Sequence, residues 1–223
     1  MNGGTRIIDV QASILEDNDR RAAALRRSLS DGKVYLVNLM GSPGSGKTTL
    51  LTALLPLLSP PLHPGVIEAD LDSRVDADAL EALGWRTVQL RTGGFCHLDA
   101  FMAERGLEEL GVLQRDARAE DGSGTIHRPG TPDGYTVRPS SFNVVFIENV
   151  GNLICTAQVD TGAHLNLALL SVPEGDDKPL KYPVMFAKAD AVIVTKADYL
   201  DRESFDVKRS EERRVGKECR SRW

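Results

Sequence analysis

Short apolar segments alternate along the chain with longer segments in which apolar residues recur at helical spacing. Apolar runs of strand length occur at residues 33–39, 65–69, 85–90, 144–147, 165–172 and 191–195. Helical patterns occupy the first 30 residues and then residues 48–58, 77–83 and 97–110. Strands that alternate with helices are typical of βαβ units. The sequence therefore predicts an α/β fold of three layers around a mostly parallel sheet.

Three segments depart from this alternation and suggest the limits of the domain. Residues 1–32 form an N-terminal helical segment, and residues 33–208 hold the alternating strands and helices. Residues 115–141 are dominated by Gly, Pro, Ser and Asp, which predicts an exposed loop inserted in the domain. Residues 209–223 read RSEERRVGKECRSRW and resemble the translation of a sequencing adapter, so we expect a truncated gene with a non-native tail. An ordinary basic tail is the alternative.

The composition fits one globular domain and argues against several classes of partner. A chain of 223 residues with 41% hydrophobic and 26% charged residues is sufficient for one sizeable core. The formal net charge of −5 argues against a nucleic-acid partner. No apolar run approaches the roughly 18 residues that a membrane span needs. The N-terminus lacks a basic region followed by an apolar one, so we expect a cytoplasmic protein.

A glycine-rich loop between the first predicted strand and the next helix carries the strongest motif. Residues 41–48 read GSPGSGKT, which matches the phosphate-binding pattern G-x-x-x-x-G-K-S/T. The glycines allow a tight backbone path that directs N–H groups at phosphate oxygens. Lys47 would place a charge near the β and γ phosphates, and the Thr48 hydroxyl would ligate magnesium. The predicted nucleotide-binding residues are Gly41, Ser42, Pro43, Gly44, Ser45, Gly46, Lys47, Thr48 and Thr49.

Acidic residues follow two other predicted strands. Glu148 ends a buried strand, where P-loop proteins keep an acid that helps to hold magnesium or water, and the Gly151 N–H could bond the γ-phosphate. Asp70 and Asp76 belong to an acidic run that follows the second strand. Carboxylates near phosphates repel them unless a cation is present, so this run favours a magnesium site. The members of the run that we interpret as solvated are Asp72 and Asp78.

The last predicted strand ends in a segment that could read the base. Residues 195–198 read TKAD and resemble the Asn-Lys-x-Asp motif of GTPases, with Thr195 in place of the usual Asn. Asp198 could accept hydrogen bonds from guanine N1–H and from the exocyclic amine, whereas adenine presents the opposite pattern. Lys196 and Asp198 are therefore predicted to bind the nucleotide, and guanine is the expected base.

Two cysteines and one histidine form a candidate metal site. Apart from the cysteine in residues 209–223, the chain contains Cys96, which precedes His97, and Cys155, which comes seven residues after Glu148. In a cytosolic protein such a pair favours a catalytic or metal-binding role over a disulfide, although buried thiols remain the alternative. Two thiolates and an imidazole suit zinc or a comparable metal, and three protein ligands leave one coordination position open for exchange.

These residues carry a resemblance to the HypB family, the GTPase accessory proteins that insert nickel into nickel–iron hydrogenase. The matching segments lie between about residues 7 and 200 and include NLMGSPGSGKTTLL, CHLDA, FIENVGNLIC and LLSVPEGDDKPLKYPVMFAKADAVIVTKAD. The resemblance implies a P-loop GTPase of the class that dimerises around nucleotide. It also implies GTP, Mg²⁺ and Ni²⁺ or Zn²⁺ as ligands. The implied partners are a second copy of the chain, a hydrogenase large-subunit precursor and a small zinc/nickel accessory metallochaperone.

The resemblance also implies roles for the individual residues. Cys96, His97 and Cys155 fall on the family's metal site at the dimer interface, which binds nickel or zinc. Catalysis is expected to come from positioning and electrostatics, without an arginine finger. Lys47 and Thr48 fall on the phosphate and magnesium contacts. Asp70 and Asp76 fall on the switch acids linked to magnesium, and Asp198 falls on the guanine contact. The expected catalytic residues are Lys47, Glu148 and Gly151.

Three other functions are compatible with parts of the sequence. A urease-type nickel GTPase shares the fold, but its metal motif is expected to be Cys-Pro-His rather than CHLDA. A metal-binding or storage protein with a vestigial nucleotide site lacks support, because the phosphate-binding motif is intact and no His-rich tract is visible. An ATP-dependent kinase or partitioning ATPase on the same fold would prefer adenine.

Overall fold

The structure is a computed structural model that describes residues 10–70, 73–115, 135–138 and 142–208. Residues 209–223, predicted above to be a non-native tail, lie outside the described residues. Among the helices that are described, none is both long and apolar enough to cross a membrane.

Six parallel strands form the central sheet, in the order β3-β2-β6-β1-β7-β8. The two central strands are buried almost throughout, as expected for a parallel sheet that is covered on both faces. The strands of this sheet are β1 (Tyr35–Gly41), β2 (Pro64–Asp70), β3 (Thr87–Arg91), β6 (Val144–Glu148), β7 (Leu165–Ser171) and β8 (Ala191–Thr195). The prediction of a three-layer α/β fold with a mostly parallel sheet is confirmed.

Helices cover both faces of the sheet. Leu36 on β1 packs in a core with the long helices α1 (Val10–Asp31) and α4 (Ala100–Leu110). Its neighbour Val37 packs on the opposite face with α2 (Lys47–Leu58) and α3 (Val75–Ala82), because successive residues of a strand point to opposite sides. The remaining helices are short: α5 (Cys155–Gln158), α6 (Lys178–Lys181) and α7 (Pro183–Lys188), with 3-10 turns at Val172–Glu174 and Ala197–Tyr199.

Several predicted boundaries differ from those observed by one or two residues, and two segments differ by more. The helix expected from residue 97 begins at Ala100, because the Asp99 side chain accepts a hydrogen bond from the Met102 N–H at 2.7 Å and caps the helix. The segment 115–141 is not a loop throughout, because strand β4 (Leu113–Arg115) pairs antiparallel with strand β5 (Tyr135–Val137). Residues 116–134 and 139–141 lie outside the described residues.

A buried ion pair fastens the N-terminal helix to the domain. Glu104 on α4 is fully buried, and its carboxylate receives a 2.6 Å hydrogen bond from the guanidinium of Arg21 on α1. A buried carboxylate is stable only when cations and hydrogen-bond donors surround it. The pair therefore selects one position of α1 against α4.

We expect Arg21→Met to lower the free energy of unfolding by about 2–3 kcal/mol, because Glu104 would stay buried with one cation fewer. Urea unfolding would measure the change. Arg20→Met is the matched control, since Arg20 pairs with Asp17 where the two side chains are 78% and 71% exposed, and its expected cost is below about 0.5 kcal/mol. Equal losses in the two variants would contradict a special role for the buried pair.

Candidate functional site

The predicted site residues gather at one edge of the sheet. Parallel strands end on the same side, and the loops that follow those ends form the usual ligand-binding crevice of open α/β sheets. The loop 41–48 follows β1, Asp70 ends β2, Glu148 ends β6, and Thr195 ends β8. The segment that carries Cys96 and His97 follows β3 at the same edge. Strand direction alone thus brings residues from five strands together.

The phosphate-binding motif folds as predicted. Gly46 has a φ of 95° and immediately precedes α2, so the turn enters the helix through a conformation that suits glycine. The Lys47 ammonium is buried and donates to the Ser42 carbonyl at 3.3 Å. Burial lowers the pKa of Lys47, and the nearby carboxylates, Glu148 first, oppose this effect. The ammonium is thereby held inside the loop, where a phosphate would lie.

Gly151 brings residues 148–152, the segment expected to contact the γ-phosphate and called the switch segment below, against the phosphate loop. A Cβ at this position would lie 2.9 Å from both the backbone nitrogen and the Cγ of Pro43, so a larger residue would force the two loops apart. The neighbouring Asn152 N–H donates to the Gly41 carbonyl at 3.1 Å. These contacts hold the segment after β6 against the phosphate loop.

Glu148 lies inside the site and contacts the first turn of α2. Its Oε1 accepts a 2.8 Å hydrogen bond from the Thr48 hydroxyl, whereas its buried Oε2 has no hydrogen-bond partner among the described residues. Burial raises the pKa of Glu148 to about 7, against the opposing effects of the Thr48 hydroxyl and the Lys47 charge. An acid with a free buried oxygen at this position is suited to a further polar ligand.

A second buried acid, Glu68, was not predicted from the sequence. It pairs in register with Glu148 on the adjacent strand and is 2% exposed. Burial raises its pKa to about 8, and the charge of Glu148 is the next largest cause. Its position two residues before Asp70, in an otherwise apolar strand, was the signal available, because residues two apart share a face.

The acidic cluster fits a bound magnesium ion. Asp70 and Asp76 act electrostatically on Glu68 and Glu148, so all four carboxylates lie near the phosphate loop. Two buried carboxylate oxygens of the cluster, on Glu68 and Glu148, have no hydrogen-bond partner in the described part of the chain. Oxygen donors of this kind are the ligands that Mg²⁺ takes in phosphate sites.

Asp72 and Asp78 are the two acids of the run that were interpreted as solvated. Asp78 pairs with Arg74 at 3.2 Å, and their side chains are 60% and 55% exposed, which confirms its interpretation as solvated. Asp72 lies outside the described residues.

The TKAD segment adjoins the phosphate loop. The Thr195 hydroxyl donates to the Ser45 carbonyl at 2.6 Å, which ties the end of β8 to the loop. Lys196 has a left-handed φ of 55° and leads into the 3-10 turn that carries Asp198. The side chains of Lys196 and Asp198 are both exposed, so they are accessible to a nucleotide base.

Cys96, His97 and Cys155 come together although they belong to distant parts of the chain. Their sulfur and ring nitrogen atoms all lie within 4.8 Å of one another, and each residue is half-buried. Cys155 begins α5, and its N–H donates to the Asn152 side chain at 2.9 Å. The arrangement offers two sulfurs and one imidazole, a donor set for zinc or nickel.

The structure joins Cys96 to Cys155 as a disulfide, with their Cα atoms 6.0 Å apart. The sequence favoured a metal-binding or catalytic pair, so this pairing differs from the expectation. The physical reason is that a disulfide and a metal site both need the two sulfurs at close range. A metal needs the thiolates, so the form that can bind one is the reduced form.

Fold and site together define a P-loop nucleotide-binding protein with a cysteine–histidine cluster beside the nucleotide loop. The sequence model described as "CobW/HypB/UreG, nucleotide-binding domain" matches residues 35–221. The hydrogenase/urease maturation factor HypB of Helicobacter hepaticus is 44% identical over 211 residues, which cover 95% of this chain and 77% of the relative. The chain belongs to the CobW/HypB/UreG family, and within it to the HypB maturation factors.

Other relatives agree with this placement. The hydrogenase maturation factor HypB of Azotobacter chroococcum is 41% identical, and the match covers 91% of this chain but 58% of that relative. The crystal structure of HypB from Helicobacter pylori in complex with nickel has a TM-score of 0.72 at 38% identity, with 88% of this chain and 80% of that one covered. HypB from Archaeoglobus fulgidus has a TM-score of 0.70 at 28% identity, with 90% and 84% covered.

We expect Glu68→Gln to stabilise the protein at pH 8 in the absence of nucleotide and divalent ions. The folded state keeps the Glu68 proton up to about pH 8, whereas an unfolded glutamate releases it near its ordinary pKa of 4.5. The free energy of unfolding of the wild type therefore falls as the pH rises from about 4.5 to about 8. Glutamine has no proton to release in this range, so the variant does not show this fall. The expected gain is on the order of 2 kcal/mol at pH 8 and near zero at pH 5.

Urea unfolding at pH 5 and pH 8 would measure this difference. Glu81→Gln is the control, because the Glu81 side chain is 48% exposed. The free energy of unfolding of this variant should change between pH 5 and pH 8 by the same amount as that of the wild type. If the free energy of unfolding of Glu68→Gln also changed by the wild-type amount, Glu68 would not be the buried group that keeps its proton up to about pH 8.

Proposed function

We propose that this protein hydrolyses GTP and delivers nickel during the maturation of nickel–iron hydrogenase. The observation that carries the proposal is the convergence of the phosphate loop, the Glu148–Gly151 segment and the Cys96, His97 and Cys155 cluster at one edge of the sheet. The relatives described as hydrogenase maturation factors support hydrogenase as the protein that receives the metal. The Helicobacter pylori relative solved with nickel supports nickel as that metal. Zinc is the alternative metal for the same ligands.

The residues around the phosphate loop would catalyse hydrolysis through position and charge. Lys47 would neutralise charge on the β and γ phosphates, and Glu148 and Gly151 would respond to the γ-phosphate. The side chains that would hold magnesium are Thr48, Asp70 and Asp76, and the chemistry that the ion supplies when bound is neutralisation of phosphate charge. The nucleotide would contact residues 41–49, with Lys196 and Asp198 at the base.

The cluster would hold nickel as cargo. Its three protein ligands leave a position open, which suits a metal that is passed on to an acceptor. Phe95 and Ile154 immediately precede the two cysteines and are 57% and 56% exposed, so each cysteine has an exposed apolar neighbour. A second copy of the chain would cover these two side chains. We propose further that a hydrogenase large-subunit precursor and a small accessory metallochaperone are partners in the cytoplasm.

A second client has specific support. The relatives from Helicobacter hepaticus and Helicobacter pylori are described as hydrogenase/urease maturation factors, so urease is the alternative acceptor for the metal. The nucleotide and metal sites would act in the same way for either client.

Nickel binding to the reduced protein, with and without a non-hydrolysable GTP analogue, tests the cluster. We expect one nickel ion per chain, an affinity that changes with nucleotide, and a loss of at least about tenfold in affinity in Cys155→Ala, since one of three ligands is removed. Equilibrium dialysis would measure the binding.

Cys219→Ala is the matched control for this experiment, because it removes the cysteine of residues 209–223 and leaves the cluster intact. Nickel binding of equal strength in wild type and Cys155→Ala would reject the cluster as the nickel site, although nucleotide binding would stand.

Competition between GTP and ATP tests whether the protein prefers guanine to adenine. Wild type should prefer GTP, and Asp198→Asn should lower GTP affinity by at least about tenfold, because the carboxylate that accepts two guanine N–H groups is lost. Asp201→Asn, a change at a nearby exposed residue, should bind GTP as wild type does. A preference for ATP in the wild type would reject the GTPase proposal in favour of an ATPase.

A further inference from the structure

The two halves of the cysteine–histidine cluster are attached to the nucleotide site in different ways. Cys155 follows Gly151 along the same chain, so a movement of the switch segment reaches it through the backbone. Cys96 precedes Cys155 by 59 residues and, with His97, follows a different strand. In the reduced form, which is the form that can bind a metal, these two residues can follow the switch through noncovalent contacts. The contacts that connect them to it therefore decide whether the whole cluster responds to nucleotide.

Asn149 provides such a contact. It lies between Glu148 and Val150, is 1% exposed, and its Oδ1 accepts a 3.3 Å hydrogen bond from the Leu98 N–H. The same oxygen accepts the Val150 N–H at 2.9 Å. Leu98 is fully buried and directly follows His97, so one side chain of the switch segment holds the peptide next to a metal ligand.

A row of buried amides fixes the orientation of Asn149. Its Nδ2 donates to the Asn38 side chain at 3.1 Å, and Asn38 donates in turn to the side chain of Asn166 at 3.0 Å. The Asn149 backbone N–H also donates to the Leu39 carbonyl at 3.0 Å. With its donor end committed to the sheet, the acceptor end of Asn149 faces Leu98. A buried amide satisfied in this way is rigid, because every broken bond leaves a polar group without water.

The other end of the cysteine segment is also tied to the nucleotide site. The buried Thr92 donates its N–H to the Asp70 carbonyl at 3.2 Å and its hydroxyl to the Phe95 carbonyl at 2.7 Å. Residues 92–98 are thus anchored at one end beside a proposed magnesium ligand and at the other end on Asn149. A shift between these two anchors would change the position of the metal ligands in between.

We propose that Asn149 is the positioning residue that makes Cys96 and His97 follow the nucleotide switch, through its hydrogen bond to the Leu98 N–H. Gly151 is packed on Pro43. A γ-phosphate that moves this segment would therefore move Asn149 with it. The displacement passes through one hydrogen bond and one peptide to His97. Metal ligands tolerate errors of about half an ångström, so a small displacement changes nickel affinity. The inference rests on the proposed function, because it concerns the coupling of that same site.

The test is the ratio of nickel dissociation constants in the GDP-bound and GTP-analogue-bound states of the reduced full chain. In wild type we expect the two constants to differ by at least about fivefold, a typical size for coupling between sites. Asn149→Ala should bring the ratio to within about twofold of 1, while nickel still binds through its three ligands. A residue that merely supports the fold would weaken both constants alike and leave their ratio unchanged.

Asn166→Ala is the matched control. It shortens the same amide row but leaves both hydrogen bonds to the Asn149 Oδ1 in place, so the wild-type ratio should persist. A wild-type ratio that persists in Asn149→Ala would overturn the inference and leave the proposed function standing. A ratio of 1 in the wild type would overturn both the inference and the coupling in the proposed function.

Hydrogen exchange tests the same bond without any substitution. In wild type the exchange rate of the Leu98 amide should differ between the GDP-bound and GTP-analogue-bound states, because its acceptor moves with the switch segment. Equal protection of this amide in the two states would overturn the inference even if Asn149→Ala proved too unstable to purify.

Discussion

Parallel pairing of β1 with β6 is the constraint on which the rest of the molecule depends. Its register sets Leu39 opposite Glu148, so the phosphate loop and the acid that ends β6 lie side by side. Pairing of β2 with β6 then brings Glu68 opposite the same acid. A shift of one residue in either register would turn these acids to the other face, because side chains alternate along a strand. The site is thus a consequence of strand register.

That geometry concentrates buried carboxylates where a phosphate ligand would bind. Glu68 and Glu148 both have raised pKa values because burial disfavours their charged forms, and the charge of Lys47 opposes this effect only in part. Such an arrangement is poor for the stability of the unliganded chain and suited to the capture of a cation with its anion. Stability and ligand binding are therefore opposed at this edge of the sheet, as is common at functional sites.

The metal cluster adds a second dependence on the same edge. Its histidine and first cysteine come from the segment after β3, and its second cysteine comes from the start of α5. Two asparagines of the switch segment hold these parts: Asn149 bonds the peptide after His97, and Asn152 accepts the N–H of Cys155. The phosphate loop and the cluster therefore both contact the segment that follows β6.

Much of the fold and part of the site were predictable because they depend on local pattern. The alternation of apolar runs predicted the six strands of the parallel sheet, and the GSPGSGKT motif predicted its loop, since glycines and a following helix act within a few residues. The short helices α5, α6 and α7 were not predicted, because they are too short for a helical periodicity to show. The start of α4 was misplaced because the cap at Asp99 outweighed the apolar spacing before it.

Residue type and spacing along the chain are sufficient to predict the alternation of strands and helices, the phosphate loop and the possible metal ligands. Packing of distant segments then determines which of these residues meet. In the sequence Glu68 is one residue of an apolar strand, and its proximity to Glu148 follows only from the pairing of β2 with β6. Asn149 is likewise one polar residue among many, and its role depends on its hydrogen bond with the Leu98 N–H. Burial and long-range hydrogen bonds give these two side chains their properties, and both arise when segments far apart in sequence pack together.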